Sequence, residues 1–470
     1  MATETVASGV GFRSERGAIL GALMLATGLV ALDSTIIATA VLTITDTLGG
    51  FAQFPWLFSI YLLAQAVTVP IYGKLADTVG RKPVLMFGIA VFALGSLLCG
   101  LATSMLGLII FRAVQGIGAG AIQPMTMTIA SDLYTLTERA KVQGYLASVW
   151  AMSSVAGPLL GGVFADYVSW RWIFLINLPL SAVAAWMLLR KFSESAPRRK
   201  QQVDYLGAAL LTVGAGALIL GLLEGGQAWA WNSPASIGIF VGGAVLLVLF
   251  GLVERRAANP ILPLWVFTRR VVIASSLVSV LVGAILVGLT SYVPTFTQGV
   301  LGTGALVAGL TVGALTLGWP IAASQAGKVY LRIGFRATAL IGSGLATVGA
   351  VTTLLIAEDS TLWQIAGSCF VIGIGMGLVA TPTLIAAQTS ADWSERGVVT
   401  SANMFARSIG SAVGVAVFGA IVNSRIGDTD HPLPATLSSA VHLVFITVAV
   451  MAAVMVLASA CMPSRKTVIS

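Results

Sequence analysis

Asp33 lies in the stretch GLVALDSTIIATAV (Gly28 to Val41), and Arg112 opens RAVQGIGAGAIQP (112–124). Each places a charge in an otherwise apolar run. Burial favours the neutral acid, while a neighbouring cation favours the carboxylate. A carboxylate held between those influences can change protonation when its access to water changes, as a proton carrier must. The competing reading is a permanent salt bridge or a helix-end hydrogen bond. Other chemistry has little to stand on. The two histidines, His431 and His442, lack metal-ligand spacing. No phosphate-binding loop is present, which argues against direct ATP drive. No nucleophile, base and orienting group converge, so an enzyme is not expected, and neither is a metal or an organic cofactor.

The elements that position these charges follow from composition. The 470 residues are 57% hydrophobic and 9% charged, with mean hydropathy +0.95. Soluble domains carry about 25% charged residues, so this chain cannot cover a water-soluble body. An all-α polytopic membrane protein is expected. Fourteen stretches are long and apolar enough to span, at 17–40, 54–73, 84–102, 105–131, 143–165, 172–190, 205–223, 236–253, 271–296, 304–326, 337–357, 361–386, 398–422 and 438–461. Ala38-Thr39-Ala40 mimics a signal cleavage site, but the run 17–40 is longer than a signal core and further spans follow it directly.

With both termini in the cytoplasm, most of the 26 Lys and Arg residues fall in inside segments, and only Arg171 and Arg425 in outside loops. The net charge of +8 is thus sorted by topology, which excludes a nucleic-acid partner. Asp33 then lies about seven residues before the outer end of the first span. Arg112 lies about seven residues after the outer start of the fourth. Both sit about 10 Å deep, a position that costs several kcal/mol unless the charge is paired or faces water. Asp132, Glu224 and Arg407 read as interfacial or packing charges. Cys99, Cys369 and Cys461 read as small buried hydrophobes.

The chain repeats itself. GKLADTVGRK (73–82) resembles GKVYLRIGFR (327–336), ERAKVQG (138–144) matches ERGVVTS (395–401), and GIGAG (116–120) falls on GIGMG (373–377). At the same offset Gly157 falls on Gly414 and Gly162 on Gly419. These landmarks predict two six-helix bundles plus two inserted helices: residues 1–192, a linker and helix pair at 193–260, and residues 261–470. Duplicated bundles are a transporter device, with the site at their interface.

Two motifs have their own physics. In GKLADTVGRKP (73–83), Gly73 and Gly80 permit a tight turn, Asp77 can meet the positive end of a helix, and Arg81 and Lys82 face water. In SVAGPLLGG (154–162), Pro158 kinks the helix while Gly157, Gly161 and Gly162 let another helix lie close. Polar or aromatic residues near mid-span, Tyr61, Gln65, Gln115, Tyr292, Phe296 and Asn403, are candidates to line a cavity. Each could instead serve an interfacial belt or an interhelical hydrogen bond.

As a set, these motifs resemble the major facilitator superfamily. LDSTIIATAV (32–41), WRWIFLINLP (170–179) and the inserted pair resemble its fourteen-helix drug/proton antiporter branch. The resemblance implies that Asp77 latches the bundles at the start of the thirteenth span, near Val399. Leu331 stands at the corresponding place in the second copy, so the latch would be one-sided. It also implies that the Gly157–Gly162 segment forms a tight seam with the tenth span. The expected function is proton-coupled efflux of hydrophobic or amphipathic compounds by alternating access, with Asp33 carrying the proton and Arg112 tuning it. One acidic site suits neutral, amphipathic or monocationic cargo. Export of a lipid or native metabolite is the alternative within transport. A channel or a lipid-modifying membrane enzyme is the alternative from another class. The expected setting is the cell (inner or plasma) membrane, as a monomer driven by the proton gradient.

Overall fold

The computed structural model describes residues 11–462, apart from 13, 15, 135, 195–203, 226–227, 258–259, 261–263, 392–395, 428 and 430–431. Fourteen membrane-length apolar spans run through the described residues. The first bundle holds α1 (Gly17–Ile36), a short outer helix α2 (Val41–Leu48), α3 (Phe54–Val79), α4 (Arg81–Gly100), α5 (Met105–Leu133), α6 (Leu136–Val163), and the sixth span built from α7 (Trp172–Leu175) and α8 (Asn177–Lys191). The inserted pair is α9 (Tyr205–Glu224) and α10 (Pro234–Glu254). The second bundle holds α11 (Arg270–Gly299), α12 (Ala305–Ile333), α13 (Phe335–Thr353), α14 (Leu362–Thr389), α15 (Arg396–Ile426) and α16 (Pro434–Ala460).

The spans are helices because hydrocarbon offers no partner for backbone N–H and C=O groups, which a helix satisfies internally. Several run past the expected limits, because amphipathic turns at their ends extend the helix beyond the apolar core. The loop expected at 73–83 is the clearest case. α3 continues to Val79 and α4 starts at Arg81, so Gly80 alone makes the turn, at φ +107°. Gly73 is helical with open space around it, so it supports no close approach.

The duplicated glycines pack alike in both bundles. Gly116 of α5 meets the Tyr61 carbonyl of α3, and Gly118 meets Phe92 of α4. Their counterparts in α14 do the same: Gly373 meets the Leu315 carbonyl of α12, and Gly375 meets Ala346 of α13. A side chain at any of these positions would push the helices apart.

The two bundles meet at one end of the molecule, the face poor in Lys and Arg. There Asp166 accepts from Ala305 N (3.1 Å) and Leu306 N (3.0 Å). Gln298 Nε2 donates to the Thr39 carbonyl at 3.2 Å, and Asn423 Nδ2 to the Ala52 carbonyl at 2.8 Å. Ser59 Oγ donates to the Ala412 carbonyl at 3.1 Å. Phe54 and Tyr292 bring their rings to 5.4 Å across the same boundary. Two glycine contacts, related by the repeat, close it further: Gly162 of α6 lies against Leu306 of α12, and Gly419 of α15 against Pro55 of α3. The inserted helix α9 packs beside α3 and α15 through Leu63, Val67, Ile219, Ala412 and Ala416.

Candidate functional site

Asp33 and Arg112 meet in the interior of the first bundle. Arg112 Nη1 donates to Asp33 Oδ2 at 2.7 Å, and each side chain is 1% exposed. Five helices supply the surroundings. α5 brings Gln115 one turn beyond Arg112, and Gln115 Nε2 donates to Asp33 Oδ1 (2.7 Å) and to Ser96 Oγ of α4 (2.7 Å). α8 brings Asn177, whose Nδ2 donates to Asp33 Oδ1 at 3.1 Å. Arg112 Nη1 also reaches Gln115 Oε1 (2.6 Å), and its Nε donates to the Leu57 carbonyl of α3 (3.1 Å). The Tyr61 ring lies 4.0 Å from the guanidinium carbon, a cation–π contact.

This arrangement makes Asp33 an acceptor from three donors, the pattern an ionised carboxylate needs. Taking two charges out of water costs several kcal/mol each, and only close pairing with the remaining lone pairs satisfied offsets that. The sequence reading missed Ser96 and Asn177. Asn177 stands within WRWIFLINLP, an available signal, since a polar amide in an apolar span needs a partner.

The cavity candidates go to separate places. Tyr61 and Gln115 join the Asp33–Arg112 hub. Gln65 pairs with Gln123 at 3.3 Å, between α3 and α5. Tyr292 and Phe296 belong to a buried aromatic plug at the charge-poor end, where Tyr292 meets Phe54 and Phe418, and Phe296 meets Phe445. Asn403 Nδ2 donates to Ser275 Oγ at 2.7 Å, tying α15 to α11.

The glycine–proline motif divides between two partners. Gly157 and Gly161 face Thr35, Ile36 and Thr39, on or just beyond α1. Gly162, and the Pro158 carbonyl that Gly309 approaches, meet the tenth span, α12. Helical geometry explains the division: residues four apart share a face, and the next residue turns about 100° away.

At the basic end, Arg81 pairs with Asp132 at 2.9 Å. Glu194 caps α4, accepting from Arg81 N at 2.7 Å and Lys82 N at 3.1 Å. Lys82 Nζ donates to the Phe192 carbonyl. The Asp77 side chain lies outside the described residues, as do those of 392–398, so the expected latch near Val399 falls outside them.

Two duplicated six-span bundles and an inserted helix pair, with the bundles closed against each other at one end and a buried ion pair in the first, define a multi-pass membrane carrier. The family profile described as Major Facilitator Superfamily matches residues 23–415, and the chain belongs to that family. It is 36% identical over 405 residues to multidrug resistance protein 3 of Bacillus subtilis (strain 168), covering 86% of this chain and 78% of the relative. It is 35% identical over 426 residues to the multidrug transporter protein MdtP of the same organism, covering 90% and 79%. Among solved structures, a bacterial homolog of the human lysosomal transporter Spinster, inward-facing and unoccupied, superposes with TM-score 0.68 at 17% identity over 96% of this chain and 98% of its own. The protein is therefore a transporter and not an enzyme.

Proposed function

We propose that this transporter is a proton-driven exporter of hydrophobic or amphipathic compounds. The observation that carries the reading is the Asp33–Arg112 pair: a carboxylate sealed inside the first bundle, near an interface that closes on one side. The multidrug transporters named above support the cargo class. In this reading the basic face is cytoplasmic, as are both termini, and the protein works as a monomer in the cell membrane. With the charge-poor end closed, Asp33 is paired and shielded from water. Opening that end gives Asp33 access to outside protons, and a proton on it releases Arg112. Return to the closed state discharges the proton to the cytoplasm while cargo has left in the other direction. No cofactor beyond the proton gradient is required.

The full satisfaction of Asp33 favours a second reading, a permanent structural pin. Proteoliposomes with an imposed pH gradient separate the two. Asp33→Asn keeps the shape and most hydrogen bonds but cannot carry a proton. Coupling predicts that it abolishes gradient-driven flux while cargo exchange at equal pH continues. Undiminished gradient-driven flux would leave Asp33 as a pin.

A further inference from the structure

Three charges lie deep within the spans of the described residues: Asp33, Arg112 and Arg407. The first two cancel one another at 2.7 Å. The acids nearer the span ends have other partners, Glu224 accepting from Trp56 Nε1 at 2.9 Å and Asp132 pairing with Arg81. Arg407 is left. It lies in α15, about 16 Å along the helix from its first residue. Among the described residues, no carboxylate pairs with it and no hydrogen bond is formed by its guanidinium.

Its place on α15 shows which way it faces. Asn403, one turn earlier, bonds Ser275 of α11, and Ser411, one turn later, lies against Gly283 of α11. Arg407 shares that face, turned toward α11 and away from lipid, and it is half-buried. Lone cations at this depth are costly unless they meet water or a counter-charge. The described interior therefore carries one uncancelled positive charge.

We propose that Arg407 is the anchor for an anionic group on the cargo, so that the preferred substrates are amphipathic anions rather than cations. The inference rests on the exporter reading above for its setting. It also reverses the expectation of monocationic cargo, because the only deep carboxylate among the described residues is already consumed by Arg112. Arginine chemistry fits such an anchor, since its planar fork meets a carboxylate, sulfonate or phosphate with two parallel hydrogen bonds.

The test uses the full chain in nanodiscs and three fluorescent naphthalene amphiphiles that share one scaffold and end in a sulfonate, an amide or a trimethylammonium group. The sulfonate probe should bind at least about tenfold more tightly than the trimethylammonium probe. Arg407→Gln should remove that preference by weakening the sulfonate alone, with binding of the amide probe unchanged as the check on folding. Arg407→Lys should retain part of it. Equal or tighter binding of the cationic probe, sulfonate binding indifferent to Arg407→Gln, or no binding of any probe would overturn the proposal. Flux in proteoliposomes is scored separately. Arg407-dependent anion binding without transport would count against the exporter reading and leave the anion site standing.

Discussion

The carboxylate of Asp166 ties the two bundles together where they close. It stands just past α6, in a π-helical turn at Phe164–Val168, and accepts from the first two backbone N–H groups of α12. Those groups have no partner within their own helix, and the α12 N-cap, Gly304, brings no side chain to serve them. Asp166 therefore caps a helix of the opposite bundle. Losing such a cap costs about 0.5–2 kcal/mol, and the interaction of a carboxylate with a helix N-terminus lies in the same range. Asp166 is exposed, so solvent screening keeps the loss to about 0.5–1 kcal/mol.

In the proposed cycle these bonds exist only while the charge-poor end is shut, so their loss appears in the balance of closed and open forms. Asp166→Ala should raise the open-to-closed ratio at that end by about 2- to 5-fold. Asp166→Asn, which keeps an acceptor but loses the charge, should fall between. Spin labels at Leu101 of the first bundle and Leu433 of the second, both exposed at that end, report the separation by pulsed electron resonance. The long-distance population should grow in the order wild type, Asn, Ala. Identical distance distributions in all three would refute the idea that this cap holds the end closed.

Gly162 tests the same seam by packing. A Cβ there overlaps Leu306, so Gly162→Leu should open the charge-poor end at least as far as Asp166→Ala, read with the same labels, while Gly313→Leu, in open space, should not. The buried pair makes an asymmetric prediction. Arg112→Gln leaves Asp33 buried without its cation and should destabilise the protein by about 3–5 kcal/mol. The double variant Asp33→Asn, Arg112→Gln should regain much of that loss in thermal unfolding, and a double variant no better than Arg112→Gln would show that charge is not what the pair satisfies.

How far the sequence carried this picture depends on the kind of signal. The spans and the repeat were legible because both are written in local residue patterns. Long apolar runs follow from the bilayer, and GIGAG and GIGMG pack in the same way because each glycine answers a backbone contact made in both copies. The Asp33–Arg112 pair was legible from depth and sign. Its other members were not: Ser96 and Asn177 sit on α4 and α8, and only the three-dimensional convergence of five helices shows that they complete one network. The cavity candidates could not be told apart in the sequence for a related reason. Tyr292 lies toward the charge-poor end of α11, Gln65 midway along α3 and Asn403 toward the basic end of α15, so depth as well as rotation about each helix axis sends them to a plug and two separate seams.

Rotation also explains what the glycine–proline motif does. One helical face of SVAGPLLGG serves α1 within its own bundle, and the adjacent face serves α12 across the interface. The repeat places Gly419 against Pro55 in the same manner, so the closed end is held by two seams related by the duplication. Asp166 breaks that symmetry. Its position in the second copy, by the offset relating Gly162 to Gly419, is Asn423, and Asn423 also crosses the boundary, donating to the Ala52 carbonyl. One seam is thus joined by a charge capping a helix and the other by a neutral amide. Of the two, only the Asp166 seam should loosen when a side chain is changed from charged to neutral at constant shape.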